Sequence, residues 1–319
     1  MKRLWHIREL STVAILLVEI IFFSWYLWPD GNRVHPFLSA ENFLLILKYS
    51  SIYGIAAVGA AVVIISGGID LAPGSVIALA SVVCAYLFVN ASWPLGPSIL
   101  CALLVGIGAG TVASILVVVV KLPPFIATLG VMGITRGIAF IITEGRYFDV
   151  SSKLVGGWRP LGLPADWVAP LVMIALAIVF QILMTRFQWG RQIFSIGGNE
   201  TAALFSGVAV GRIKTSVYLL SGLLAAVAGV VLALVQGQGK ADLATGYELD
   251  IIASAVVGGA SLSGGRGSVM GAVLGTLIFG VLRNALPQIP GATFYDRLIV
   301  GLAVIVIVVM DQLLLKRGE

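Results

Sequence analysis

Apolar residues in this chain do not alternate, and they do not recur as a stripe along one face. They run in unbroken blocks, separated by short intervals rich in glycine, proline or charge. A helix of about 20 apolar residues crosses the hydrocarbon core of a bilayer. On that measure the blocks predict about ten spans, at 11–28, 43–66, 74–90, 96–120, 124–142, 167–186, 214–236, 248–262, 268–286 and 296–314. The longest polar interval, 143–166, is too short for a soluble domain, so residues 1–319 read as a single transmembrane domain. The expected fold class is all-α and polytopic.

The ends of the blocks give the orientation. Lys2, Arg3 and Arg8 precede the first span, and Arg186, Arg191, Arg212 and Lys214 surround the interval after the sixth. Lys316 and Arg317 follow the last, and Lys121 separates the fourth from the fifth. Basic residues in short loops mark the cytoplasmic side. Ten spans put all these positions there, with both termini cytoplasmic. The first block resembles a signal peptide but is too long, and no small-residue cleavage site follows it. Trp25, Tyr26 and Trp28 form an aromatic belt at its far end, so it is expected to be a retained span.

Composition sharpens this picture. Charged residues make up 11% of the chain and hydrophobic ones 59%, whereas soluble domains carry about 25% charge. Lipid is therefore the expected surroundings. The net charge of +5 is modest and forms no patch, so no nucleic-acid partner is expected. Cys84 and Cys101 sit in apolar blocks as packing residues, and His6 and His35 are too few and too far apart for a metal site.

Two segments look alike. GGIDLAPGSV at 67–76 and GGASLSGGRGSV at 258–269 share the glycine pair, a leucine four residues after the first glycine, and GSV. They are either two glycine-rich turns or the broken helices of a duplicated transport fold with approximate repeats at 40–142 and 214–314. Asp70 is the lone charge between Lys48 and Lys121. A carboxylate at membrane depth needs water, a partner or a helix N-terminus. Pro73 suits a first helical turn, so Asp70 reads either as a cap or as the lining of a polar cavity. In LPPFIATLGVMGITRG, at 122–137, Arg136 lies roughly 18 Å along its span. It either snorkels outward or faces a wet pathway. The pathway candidates are Gly67, Gly68, Asp70, Phe125, Thr128, Arg136, Gly258 and Gly259. Glu19 sits within the first span, and the sequence names no partner for it.

The interval 187–213 differs from its surroundings. In GGNETAALFSGVAVGR, at 197–212, the glycine pair breaks the chain, Asn199 is a good N-cap and Glu200 suits a first turn. Residues 200–208 fit two helical turns, with Gly207 as the stop. This helix either lies on lipid or is presented to a cytosolic partner. The partner reading assigns coupling contacts to Gly197, Gly198, Asn199, Glu200, Ala202, Ala203 and Gly207. The chain has no GxxxxGK[ST], HExxH or GxSxG pattern. No catalytic residue, metal ligand or cofactor is therefore assigned to it, and ATP-driven transport would need an ATPase on another chain.

Four stretches together carry a family resemblance: SGGIDLAPGSVIALA, PPFIATLGVMGITRG, IGGNETAALFSGV and ASAVVGGASLSGGRGSVMG, in order across most of 50–282. The chain resembles permease subunits of bacterial ABC importers for ribose, xylose, arabinose, galactose and autoinducer-2. The resemblance implies ten spans in two related halves, an inner-membrane location and a permease dimer. It also implies a cytosolic ATPase that binds ATP and Mg, and a periplasmic solute-binding protein. The segment 197–207 would match the helix that docks on the ATPase. The chain departs from the family at Ala72-Pro73, where Ser-Val or a similar pair is more usual. Competing readings are an ion-coupled secondary transporter, for which Glu19 and Asp70 are the candidate carboxylates, and an ABC permease for a nucleoside or a branched-chain amino acid. A membrane-embedded enzyme is disfavoured because no acid, base or metal-ligand cluster is present.

Overall fold

The computed structural model describes residues 2–28, 37–154 and 159–291, with isolated positions between 295 and 305; the side chains of 2–9 are outside this set. Most of the expected tenth span (296–314), Lys316, Arg317 and His35 lie outside the described residues.

Eleven α-helices are described: α1 (Lys2–Tyr26), α2 (Ala40–Ile65), α3 (Pro73–Ala85), α4 (Leu95–Ser114), α5 (Pro124–Thr143), α6 (Ala165–Arg186), α7 (Gln188–Gly198), α8 (Glu200–Phe205), α9 (Val210–Gln236), α10 (Tyr247–Val257) and α11 (Val269–Ala285). Wider π turns extend α3 to Asn90 and α4 to Val119. Local chemistry sets the starts. Ser39 and Ser268 accept hydrogen bonds from Asn42 N and Gly271 N, satisfying free donors at the first turns of α2 and α11. Pro73 and Pro124 open α3 and α5, where a missing N–H costs nothing. Glu144 ends α5 in a left-handed conformation.

Seven of the described helices are long and apolar enough to cross a membrane: α2, α3 with its π turn, α4 with its π turn, α5, α6, α9 and α11 with the turn that follows it. The apolar part of α1 is shorter, Leu10–Tyr26. The span expected at 248–262 is corrected, because α10 has 11 residues and ends at Val257. At 1.5 Å per residue it is only about 16 Å long. Gly258 and Gly259 turn the chain there, and Gly259 has φ +95°.

The all-α expectation needs one amendment. Tyr147–Asp149 (β1) pairs antiparallel with Gln238–Lys240 (β2), Phe148 opposite Gly239. This ribbon joins the chain just after α5 to the chain just after α9. It satisfies backbone groups that would otherwise need water.

α2 and α9 form the buried centre, and α3, α4, α6, α10 and α11 pack around them. Small residues set the closest approach. Gly106 and Gly110 are spaced like a membrane helix-pairing motif and face Gly222 on α9. A Cβ on Gly106 would strike the Gly222 carbonyl, and one on Gly222 would strike the Gly106 carbonyl. Ile52, Ile55, Met173, Leu224, Leu232 and Ile251 fill the interior between these contacts.

Candidate functional site

The two similar glycine segments meet in space. The chain leaves α2 at Ile65 and runs without helix through 66–72, while the second segment spans 258–268 between α10 and α11. Gly265 N donates to the Ile65 carbonyl at 2.8 Å, which ties one segment to the other. Gly197, near the end of α7, presses on both. A Cβ there would collide with Ile65 O and Gly265 N. A Cβ on Gly264 would lie 2.6 Å from Gly197 O and 3.0 Å from Gly67 Cα. Gly67, Gly264 and Gly265 all have left-handed φ, between +70° and +80°. Backbone therefore rests on backbone at a three-way junction, where a Cβ on Gly197, Gly264 or Gly265 would force the segments apart. Gly258, one of the pair singled out by sequence, packs on Gly271 instead.

Asp70 is buried just above this junction. One carboxylate oxygen accepts from Ala72 N at 2.9 Å and the other from the Ser221 hydroxyl of α9 at 2.7 Å. It therefore closes a side-chain turn just before α3, whose N-cap is Ala72, and pins that turn to the central helix. A small cavity beside it is lined by Ala109, Gly110, Ser221 and Gly222. Thr128 is wholly buried and receives Leu71 N at 3.1 Å, and Thr135 bonds Ser75 at 2.6 Å. α5 is thereby stitched to the start of α3. A Cβ on Gly68 would come within 2.7 Å of the Tyr218 hydroxyl. The Phe125 side chain is exposed, and only its carbonyl, accepting from the Thr128 hydroxyl at 3.5 Å, touches this group. Arg136 does not snorkel. One of its nitrogens, Nη1, donates at 2.7 Å to each of two carbonyls, Ala241 O and Leu243 O.

The interval between α6 and α9 holds two helices rather than the one read from sequence. In α7, Trp189, Ile193 and Ile196 recur at helical spacing. Ile193 and Ile196 are buried, and the Trp189 indole donates to Ser216 at 2.8 Å. That spacing was the available signal for α7, hidden because the segment is amphipathic rather than uniformly apolar. Asn199 caps α8 through Ala202 N at 2.9 Å, and Glu200 pairs with Lys214 at 2.6 Å. Gly207 follows with φ +82°. Ala203 was expected on the contact face, but it is 1% exposed and packs with Ile196 and Val210. The outward apolar residues are Leu204, 58% exposed, and Phe205, 85% exposed.

Residues 42–309 match the family described as the permease component of branched-chain amino acid transport systems. The probable ABC transporter permease YphD of Escherichia coli K12 is 36% identical, covering 98% of this chain and 92% of its own length. The ribose import permease RbsC of Bacillus subtilis is 35% identical and covers 86% of each chain. The xylose transport permease XylH of Escherichia coli K12 is 32% identical over 96% of this chain and 92% of its own. No solved structure matches. A match over most of the chain and relatives aligned nearly end to end establish that this protein belongs to that permease family, as a membrane-embedded transport subunit of the ABC class.

Proposed function

We propose that the chain imports a monosaccharide as one subunit of an ATP-driven transporter. A cytosolic ATPase that binds ATP and Mg would supply the energy, and a periplasmic solute-binding protein would deliver the sugar. A second permease, identical or related, would complete the pathway across the bacterial inner membrane. The carrying observation is the interval between α6 and α9. Its outer edge presents Leu204 and Phe205, while its inner edge seats Gly197 on both glycine segments. A push on α8 would thus reach, through α7, the junction of the two glycine segments. The names of the ribose and xylose relatives support the sugar.

In this reading the chain is built of two related halves, 40–142 and 214–314, broken at the segments 66–72 and 258–268, with both termini cytoplasmic. The coupling contact lies within 187–213. Of the two carboxylates that the secondary-transporter reading needs, Asp70 already has both oxygens engaged by donors within the chain. The family description keeps a branched-chain amino acid as the second substrate reading.

Reconstitution tests the proposal. The chain, its copurified ATPase and its binding protein, assembled in proteoliposomes, should take up a pentose only when ATP is present. Uptake driven by a proton or sodium gradient without an ATPase would overturn it.

A further inference from the structure

The two glycine segments are alike in sequence but differ in what they turn outward. Aligned on their leucines and on GSV, Asp70 stands opposite Ser261, and the second segment carries two residues more. In the first, Ser66, Asp70, Leu71 and Ala72 are buried, and no charge faces out. In the second, Leu262, Ser263 and Arg266 are exposed. The longer stretch, 263–266, is a tip closed by backbone hydrogen bonds. Gly264 N donates to Ser261 O at 2.8 Å, and Ser261 N donates to Arg266 O at 3.0 Å.

The glycines of this tip belong to the junction. Gly265 N holds the Ile65 carbonyl, and a Cβ on Gly265 would come within 2.7 Å of Gly198 Cα. Arg266 has no such role. Among the described residues its side chain makes no hydrogen bond or ion pair. Reversing the chain does not require it either, since the first segment passes from helix to helix without an arginine. The tip lies at the same end of the molecule as α8, because Gly198 directly precedes Asn199, the cap of α8. Glu200 is the lone acid within 187–213 and is taken by Lys214. The exposed Arg191, Arg212 and Arg266 therefore leave this end with uncompensated positive charge.

A guanidinium fork matches a carboxylate. Leu262 is exposed in the same tip, and Leu204 and Phe205 are exposed on α8. Apolar groups edged by arginine are what a protein interface uses. The tip is also fixed from behind by backbone contacts, which suits a shaped partner better than fluid headgroups. Resting on the ATP-driven import reading above, we propose that the tip at 262–266 is a second contact for the ATPase, in which Arg266 pairs with a carboxylate of that subunit. The ATPase would then hold α8 and the second glycine segment together. Its movement would act on the chain leading into α11 directly, and not through α7 alone.

The test measures binding of the copurified ATPase to the full chain in nanodiscs of zwitterionic lipid, which carry no net headgroup charge. Arg266→Glu sets like charges together and should weaken binding about tenfold or more. Arg266→Ala should weaken it less, and Arg266→Lys less again. Added salt should weaken the wild type more than Arg266→Ala. Wild-type affinity in Arg266→Glu would overturn the contact. So would a loss that appears only when anionic lipid is included, which would assign Arg266 to headgroups instead. A wild-type chain that binds no ATPase at all would overturn the import reading itself. If Arg266→Glu fails to fold, Ser263→Cys decides, with Cys84 and Cys101 replaced by alanine. A photoactivatable thiol reagent on Ser263→Cys should crosslink to the ATPase, while the same reagent on Leu100→Cys, exposed on α4, should not. Bound ATPase that never crosslinks through Ser263→Cys would sink the proposal.

Discussion

The two edges of the α7–α8 segment are built from similar small and apolar residues but meet opposite surroundings. On the inner edge, Gly197 has no room for a methyl group and Ala203 is sealed against Ile196 and Val210. On the outer edge, Leu204 and Phe205 stand clear of the rest of the chain. Residues on the inner edge are explained by packing within this molecule. Those on the outer edge are not, because large apolar groups set outward at the end of a short helix call for a partner or a lipid surface. The inner edge should accordingly control folding and the outer edge assembly.

The strongest challenge to this division is Gly197→Val. The added side chain would enter the space of Ile65 O and Gly265 N, so relief requires the two glycine segments to part. The expected loss lies at or beyond the top of the roughly 1–3 kcal/mol range for overpacking. It should be read as reduced yield of folded protein and a lower aggregation temperature in detergent. Gly198→Ala sharpens the point, since a Cβ at Gly198 meets nothing within 4 Å. That variant should match the wild type. If the two neighbouring substitutions behave alike, the junction is not a tight contact.

Ala203→Trp comes next. It forces an indole into a filled site, at about 1–3 kcal/mol, and should expose the α7–α8 segment to limited proteolysis. Ala202→Trp, one residue earlier on the exposed side, should leave the protease pattern unchanged. Equal protection of both variants would show that Ala203 is not sealed inside.

Sequence predicted some of this well and some of it not at all. Blocks that are apolar throughout became α2, α4, α6 and α9 within a few residues of their expected limits, because hydropathy measures what lipid selects for. It failed at 248–262, where composition stays apolar while Gly258 and Gly259 end the helix. It also missed α7, whose apolar residues occupy one face, and the ribbon, whose strands have three residues each. Asp70 was visible as a lone charge, but its partner Ser221 lies 151 positions away. The glycine pairs were visible too. That Gly264 and Gly265 touch Gly197, while Gly258 packs on Gly271, depends on the path of the folded chain, which no local pattern encodes.

The smallest expected effect on folding belongs to the outer edge, and there the central claim is most directly tested. The double variant Leu204→Ser/Phe205→Ser removes apolar surface that the chain does not bury, so its thermal stability should stay within about 0.5 kcal/mol of wild type. The measurement is binding-protein-stimulated ATP hydrolysis by the reconstituted complex. If α8 carries force between the ATPase and the spans, the variant should insert and fold normally, yet lose nearly all of the stimulation. A stable variant with wild-type stimulation would contradict the account.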